Sequence, residues 1–262
     1  MSGAAVEVRP TIDREWLEQA EAREPLTHAY ALWDLERTPQ AVRFASAVRG
    51  EETVGYLLVW LGGGGPPVVH WFGAPEVAGA LAGALPPPPF LAVVPTEVEA
   101  VVARRFPGRR RSTLKMMLRE PGHLRGNLEA VRRLGRGDVP ALAALVRAHA
   151  EPELSAYAGL DPDAEPVWGA FDGRRLVGVA RAAVRLPRIW VLGGVFVDPT
   201  RRGRGVGYAL VAAVVTEAEG SGARAGLYVR DEPAPPLHLY EGLGFREVGR
   251  RSWLDVSSPP PP

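Results

Sequence analysis

Apolar and polar positions along this chain change period several times. Around residues 13–22 and again over 25–35, apolar residues recur at the spacing of one helix face. Three runs follow, 42–48, 54–61 and 68–72, in which apolar residues alternate or are continuous over strand length between glycine and proline punctuation. A short helix over 75–85, a strand over 90–94, a helix over 97–105 and a strand over 113–118 carry the pattern to Pro121-Gly122, a boundary signal. Beyond it the order predicted is strand (128–134), helix (139–150), an acidic irregular segment (151–165) and three strands (167–171, 176–184, 189–197). A helix (206–219), a strand (225–229), a short helix (237–241) and a last strand (245–256) complete it. Residues 257–262, mostly proline, read as a disordered tail.

The order contains a repeat. Val48-Arg49-Gly50-Glu51-Glu52-Thr53-Val54-Gly55 aligns without gaps with Phe171-Asp172-Gly173-Arg174-Arg175-Leu176-Val177-Gly178. Each is strand, tight turn at glycine, strand, and each is followed by a third strand and a proline, Pro75 or Pro199. A tandem duplication accounts for this, with one α/β (α+β) domain over 1–122 and a second over 123–256. A length of 262 residues suits two domains better than one.

Composition narrows the function classes. The chain is 46% hydrophobic and 23% charged, enough for a sizeable core, and its net charge of +1 projects no field toward nucleic acid or an anionic membrane. The basic cluster Arg104-Arg105 and Arg109-Arg110-Arg111 has no interleaved aromatics and reads as a solvated loop rather than a nucleic-acid face. Cysteine is absent, which excludes thiolate catalysis and cysteine-ligated metals, and no metal is expected. Charges at Glu7, Arg9, Asp13, Arg14 and Glu15 break any signal-peptide core, so a cytoplasmic location is expected. The uncharged stretch 54–75 is interrupted by Gly62, Gly63, Gly64, Gly65, Pro66 and Pro67, and is expected to form two strands and a turn rather than a membrane span.

The sharpest chemical signal follows the strand that ends at Val197. Asp198-Pro199-Thr200-Arg201-Arg202-Gly203-Arg204-Gly205-Val206-Gly207-Tyr208 is a glycine-rich loop feeding an apolar helix. Glycines at 203, 205 and 207 let successive N–H groups turn toward one point, and the helix end adds positive potential, so the segment suits a pyrophosphate. Arg202 and Arg204 are candidates for further phosphate contacts. A nucleotide-hydrolase loop is excluded because no Gly-Lys-Ser or Gly-Lys-Thr follows, and a dinucleotide fingerprint fails on glycine spacing.

Arg202-x-x-Gly205-x-Gly207 after Val195-Phe196-Val197 resembles the coenzyme A signature of the GNAT N-acetyltransferase family. Leu239-Tyr240-Glu241-Gly242-Leu243-Gly244-Phe245 resembles that family's tyrosine-bearing helix and the Gly-Phe after it. The resemblance implies tandem domains, each a mixed, mostly antiparallel sheet flanked by helices. It implies acetyl-CoA as cosubstrate and an amine, most simply a small molecule, as acceptor. Backbone groups at Val195, Phe196 and Val197 would then line the pantetheine arm, and N–H groups from Arg202 through Gly203, Arg204, Gly205, Val206 and Gly207 to Tyr208 would hold the pyrophosphate. The N–H of Val197 would donate to the thioester carbonyl, and Tyr240 would be the general acid that protonates the departing thiolate.

Two departures from the family's pattern stand out. The strand over 189–197 carries no acidic residue, which leaves Glu151, Glu153 and His149 as candidates for the general base, and Pro233 stands where the family often has an asparagine. In the first half, Gly73-Ala74-Pro75-Glu76 has neither the arginine nor the glycine spacing, and Glu76 would repel a pyrophosphate. That half resembles the degenerate N-terminal domain of the two-domain glycine N-acyltransferase type, with His28, Tyr30, Trp33, His70 and Trp71 as candidates to wall an acceptor pocket. The alternative function from another class is a non-catalytic acyl-CoA-binding module.

Overall fold

The structure is a computed structural model that describes residues 5–62, 64–107, 109–122, 124, 131–149, 151–231 and 237–257. Asn127, Pro233 and the tail over 258–262 lie outside the described residues. The elements are β1 (Val6–Arg9), α1 (Arg14–Arg23), α2 (Pro25–Arg37), β2 (Val42–Arg49), β3 (Glu52–Trp60), β4 (Val68–Gly73), α3 (Pro75–Leu81), β5 (Phe90–Pro95), α4 (Glu99–Arg105) and β6 (Arg109–Arg119). They continue with β7 (Val131–Arg133), α5 (Val139–Ala148), β8 (Val167–Asp172), β9 (Arg175–Arg185), β10 (Ile189–Val197), α6 (Val206–Gly220), β11 (Arg224–Arg230), α7 (Leu237–Gly242) and β12 (Phe245–Val256). Strand β1, Val6-Glu7-Val8-Arg9, alternates apolar and charged residues over only four positions and was not predicted; it is held by pairing with β2, Val6 opposite Arg49. None of the helices among the described residues is long and apolar enough to cross a membrane. The uncharged stretch instead supplies β3 and β4, as its central glycines and prolines require.

The chain divides into two compact units that do not follow it in simple order. The first holds Met1–Met116, Val229–Pro235 and Gly249–Pro262; the second holds Met117–Tyr228 and Pro236–Val248. In the first unit, β1 to β4 pair antiparallel in sequence order and β4 pairs parallel with β5. Residues 251–256 of β12 then close the far side of β5, antiparallel. One sheet face packs α3 and α4 through Val77, Ala78, Leu81, Val98 and Val102. On the other, α1 and α2 cover an aromatic cluster. His28, 1% exposed, lies 2.9 Å from the Tyr56 hydroxyl and 4.5 Å from the Phe72 ring, with the Trp16 ring 6.0 Å away. Burial, with the charges of Arg251 and Arg23, pushes the His28 imidazole down to about 4. His28 and Trp71 are therefore core residues, while Tyr30 stacks on His70 at 4.9 Å.

In the second unit β7 to β10 pair antiparallel and β10 pairs parallel with β11. The helix α5 and the 3-10 segment Pro152–Tyr157 pack one face through Leu142, Leu145, Leu154 and Tyr157 against Val167, Val179 and Phe196. Helix α6, buried along Leu210, Val211, Val214 and Val215, meets β9 at Gly178, where an added Cβ would lie 2.9 Å from Leu210. Each unit is thus a mixed, mostly antiparallel sheet flanked by helices, as expected.

The repeat extends to backbone detail. Ala47 faces Gly55 and Val48 faces Thr53, one residue of β3 being squeezed out; Ala170 faces Gly178 and Phe171 faces Leu176 in the same way. The glycine after each bulge is forced by close approach, since a Cβ at Gly55 would lie 2.9 Å from the Phe72 carbonyl oxygen and one at Gly178 2.9 Å from that of Phe196. The halves part at the next strand. Pairing of β3 with β4 is regular, whereas β10 carries an additional residue against β9.

One charge in the first unit has a measurable consequence. Burial pushes the half-buried Asp34 carboxyl on α2 up to about 7. Its folded value exceeds the unfolded one, near 3.9, so its contribution to stability is full below that pH and is lost as pH rises through about 7. Asp34→Asn should therefore melt at a higher temperature than the parent at pH 8, and the gain should vanish at pH 4, in thermal unfolding followed by circular dichroism.

Candidate functional site

Where β10 and β11 run together, Ile189 to Leu192 face Arg224 to Leu227. Registered pairing stops there, although β10 continues to Val197 and β11 to Arg230. The cause lies on the other side of β10. Gly193 faces Arg181 and Phe196 faces Val179, so two residues of β10, Gly194 and Val195, occupy the space opposite one of β9. Gly194 has φ +62°, a left-handed conformation that favours glycine. Its carbonyl accepts a 2.6 Å hydrogen bond from the hydroxyl of Tyr157, which is 2% exposed, and an added Cβ would lie 2.9 Å from the Tyr157 ring. Burial raises the Tyr157 hydroxyl far above its ordinary value, which keeps it a neutral donor.

Backbone alternation then orients the strand end. The N–H of Asp198 donates to the Val177 carbonyl at 2.8 Å, toward β9. Successive residues point opposite ways, so the polar groups of Phe196 face β9 and those of Val195 and Val197 face away from it. The Val197 carbonyl accepts from Arg202 Nε at 3.1 Å, which turns that guanidinium back over the strand end.

The loop beyond is anchored by Asp198, 1% exposed. Its carboxylate accepts from the Thr200 amide at 2.9 Å and hydroxyl at 2.8 Å, and from an Arg175 nitrogen at 2.6 Å on β9. The Thr200 bonds outweigh burial and hold the carboxyl below the usual range. Gly203 and Gly205 have φ +73° and +77°, with open space where a Cβ would sit, so backbone conformation alone demands glycine there. Gly205 caps α6, and the first helical bond runs from the Ala209 N–H to the Gly205 carbonyl at 3.0 Å. The N–H groups of Val206, Gly207 and Tyr208 therefore have no acceptor within the helix and point out of its positive end. At Gly207 a Cβ would come within 3.4 Å of Leu239 and 3.6 Å of Val197, which sets this helix end against both α7 and the end of β10. Arg204 and Arg201 line a depression of about 210 Å³ over Asp172 and Phe171, where Arg201 Nε bonds the Asp172 carboxylate at 2.7 Å.

Tyr240 lies on α7, 8% exposed, with its ring edge on Phe245 at 5.9 Å. Burial first and the negative charge of Glu153 second push its hydroxyl up to about 12. It is protonated at any physiological pH. Of the candidate bases, Glu153 is exposed on the 3-10 segment that packs over β10 and is the one whose charge reaches Tyr240. His149 is directed elsewhere: its Nε2 lies 3.7 Å from the Asp198 carboxylate and its ring 5.0 Å from Phe196. Glu151 is exposed. No cluster of potential metal ligands is present among the described residues.

Sequence reasoning missed Tyr157, Gly194 and Asp198. The Gly193-Gly194 pair inside an apolar strand was a bulge signal that could have been used. Tyr157, in an irregular acidic segment, had no such signal.

Residues 139–245 fit the profile of the acetyltransferase (GNAT) family. No curated protein sequence matches the chain. Among solved structures, a Drosophila protein superposes with a TM-score of 0.67 at 17% identity, covering 95% of this chain and 98% of its own. A GCN5-related N-acetyltransferase from Sphaerobacter thermophilus gives 0.61 at 15% identity over 95% and 94%. A tandem GNAT protein from the clavulanic acid biosynthesis pathway gives 0.58 at 15% identity over 98% and 100%. At these identities the likeness is one of fold.

The bulge can be tested directly. Gly194→Ala should lose about 2–4 kcal/mol in denaturant unfolding, from left-handed strain plus overlap with the Tyr157 ring. Gly173→Ala, at a left-handed turn glycine with open space, should lose only about 1 kcal/mol. Tyr157→Phe should cost about 1–2 kcal/mol by leaving the Gly194 carbonyl without its donor.

Proposed function

We propose that the second unit is an N-acyltransferase that moves an acetyl or other short acyl group from acetyl-CoA to a primary amine by direct attack. The observation that carries this reading is the end of β10, where Val195 and Val197 turn their backbone groups away from β9 beside the N-terminus of α6, with Leu239 of α7 against that helix end. The match of residues 139–245 to the acetyltransferase (GNAT) family supports acyl transfer as the general chemistry.

The residues present fit coenzyme A as substrate. The N–H groups of Val206, Gly207 and Tyr208 at the start of α6, preceded by Gly203 and Gly205 whose Cβ positions are open, suit a pyrophosphate, whereas the Arg202 N–H is already given to the Pro199 carbonyl. The polar backbone groups of Val195 and Val197 suit an amide-bearing arm running along the end of β10. The thioester carbonyl then meets the Val197 N–H, which stabilises negative charge as the amine nitrogen bonds to carbon. As the carbon–sulfur bond breaks, its electron pair goes to sulfur, and Tyr240 donates its hydroxyl proton there. The desolvated phenol is suited to this because it holds its proton until a thiolate appears. β10 bears no carboxylate, so the amine's surplus proton leaves through water or toward Glu153, whose charge also favours a cationic acceptor near the site. The absence of cysteine removes the commonest acyl-enzyme nucleophile and supports transfer in one step.

The first unit, in this reading, keeps the strand plan without the chemistry. It lacks the extra residue in β4, enters α3 without a glycine loop, and fills the corresponding sheet face with Trp16, His28, Tyr56 and Phe72. A cytoplasmic location and a small-molecule acceptor belong to the same proposal.

Acetyl-CoA should raise the thermal midpoint by mass action, and the rise should disappear with Gly205 and Gly207 both changed to alanine. With a mixture of amino acids, polyamines and aminoglycosides as acceptors, free thiol should be released, and the cysteine-free protein adds no background to a thiol reagent. Tyr240→Phe should keep acetyl-CoA binding and lose about a hundredfold or more in thiol release. A binding module would show the thermal shift and no release.

A further inference from the structure

Arg119, the last residue of β6, is 2% exposed and is a fully buried guanidinium. Its Nε donates to the Leu243 carbonyl at 2.8 Å and one Nη to the Gly122 carbonyl at 2.6 Å. The other Nη pairs with the Glu219 carboxylate on the last turn of α6. Beside it, the Glu120 N–H donates to the Gly244 carbonyl at 3.1 Å. Leu243 and Gly244 form the turn that ends α7: the Leu243 N–H bonds the carbonyls of Leu239 and Tyr240, and Gly244, at φ +86°, bonds that of Glu241.

The placement matters because α7 spans only Leu237–Gly242. A helix that short does not hold itself, so its orientation comes from what grips it. Burying a guanidinium is costly and is sustained only by full satisfaction of its donors. Here one donor goes to the Gly122 carbonyl and two go to α6 and to the turn that closes α7, the elements that carry the anion loop and Tyr240.

We propose that Arg119 is a positioning residue for Tyr240, fixing the phenol against the cofactor helix by gripping the end of α7. This rests on the reading of Tyr240 as the general acid. Arg119 touches neither substrate in that reading and acts through the turn.

The test uses the full chain with ring-labelled tyrosine, the Tyr240 signal being assigned by its loss in Tyr240→Phe. In the parent the phenol should titrate near about 12. In Arg119→Met it should titrate closer to the ordinary phenol value near 10, and Arg119→Lys, which restores part of the grip, should lie between. With acetyl-CoA and the amine mixture, Arg119→Met should slow thiol release by about tenfold or more while acetyl-CoA affinity stays within about twofold. The double variant Arg119→Met/Tyr240→Phe should be no slower than Tyr240→Phe alone.

An unchanged Tyr240 titration, or rate losses that multiply in the double variant, would overturn the proposal. Should Arg119→Met lose its circular dichroism, Glu219→Gln leaves both carbonyl bonds and loosens only the tie to α6. It should move the Tyr240 titration in the same direction by less, and no movement overturns the proposal equally. If Tyr240→Phe releases thiol at the parent rate, the general-acid reading fails, while the titration still decides whether Arg119 holds α7.

Discussion

A single hydrogen bond from a buried phenol, Tyr157 to the Gly194 carbonyl, accompanies the one irregularity on which the chemistry proposed for the second unit depends. Backbone donors and acceptors in a sheet are normally consumed by neighbouring strands. An additional residue in β10 breaks that arrangement for Val195 and Val197 and turns their polar groups away from β9. The cost is a left-handed backbone, which only glycine accommodates easily, and a carbonyl pulled out of the ladder, which the tyrosine satisfies. Everything downstream is positioned from this point: Asp198 resumes the β9 pairing, folds the loop on Thr200, and delivers the chain to Gly205 and α6.

The first unit shows what the same plan does without that irregularity. Its hairpin carries the same bulge ahead of Gly55 as the second unit carries ahead of Gly178, and both glycines are pressed by a phenylalanine carbonyl. Such agreement in a feature with no bearing on ligand binding points to common descent of the halves. Yet Trp71, 3% exposed, occupies the stretch of β4 between His70 and Phe72, where β10 has two residues, and α3 begins at Pro75 immediately after the strand. One residue and one loop separate a regularly paired strand from one whose end is turned out of register.

How much of this was legible follows from the range of each interaction. Hairpins, the glycine loop and the apolar helix α6 are local, and their spacing announced them within one or two residues. Strand β1 depends on a partner more than thirty residues away, and the alternation of Val6-Glu7-Val8-Arg9 is too short to announce a strand by itself. The grip of Arg119 on Leu243 joins positions 124 apart, and a lone arginine at a strand end carries no sign of its acceptors. Tyr157 was invisible for the same reason, although its partner glycine was not. The candidate site was thus readable as a loop and a tyrosine, but not as the supports that orient them.

The division of β12 has a bearing on how the chain acquires its structure. Phe245–Val248 belong to the second unit, whereas 251–256 pair with β5 of the first. During synthesis β5 must wait for the chain to grow from residue 95 to residue 251, an interval on the order of 10–30 s at ~5–20 residues per second. Throughout it the apolar segment Phe90–Pro95 presents an unpaired edge to the crowded surroundings of the ribosome. The first half is therefore the last to be completed, and a chaperone that shields exposed strands would serve the early part of the nascent chain rather than the part bearing the proposed chemistry.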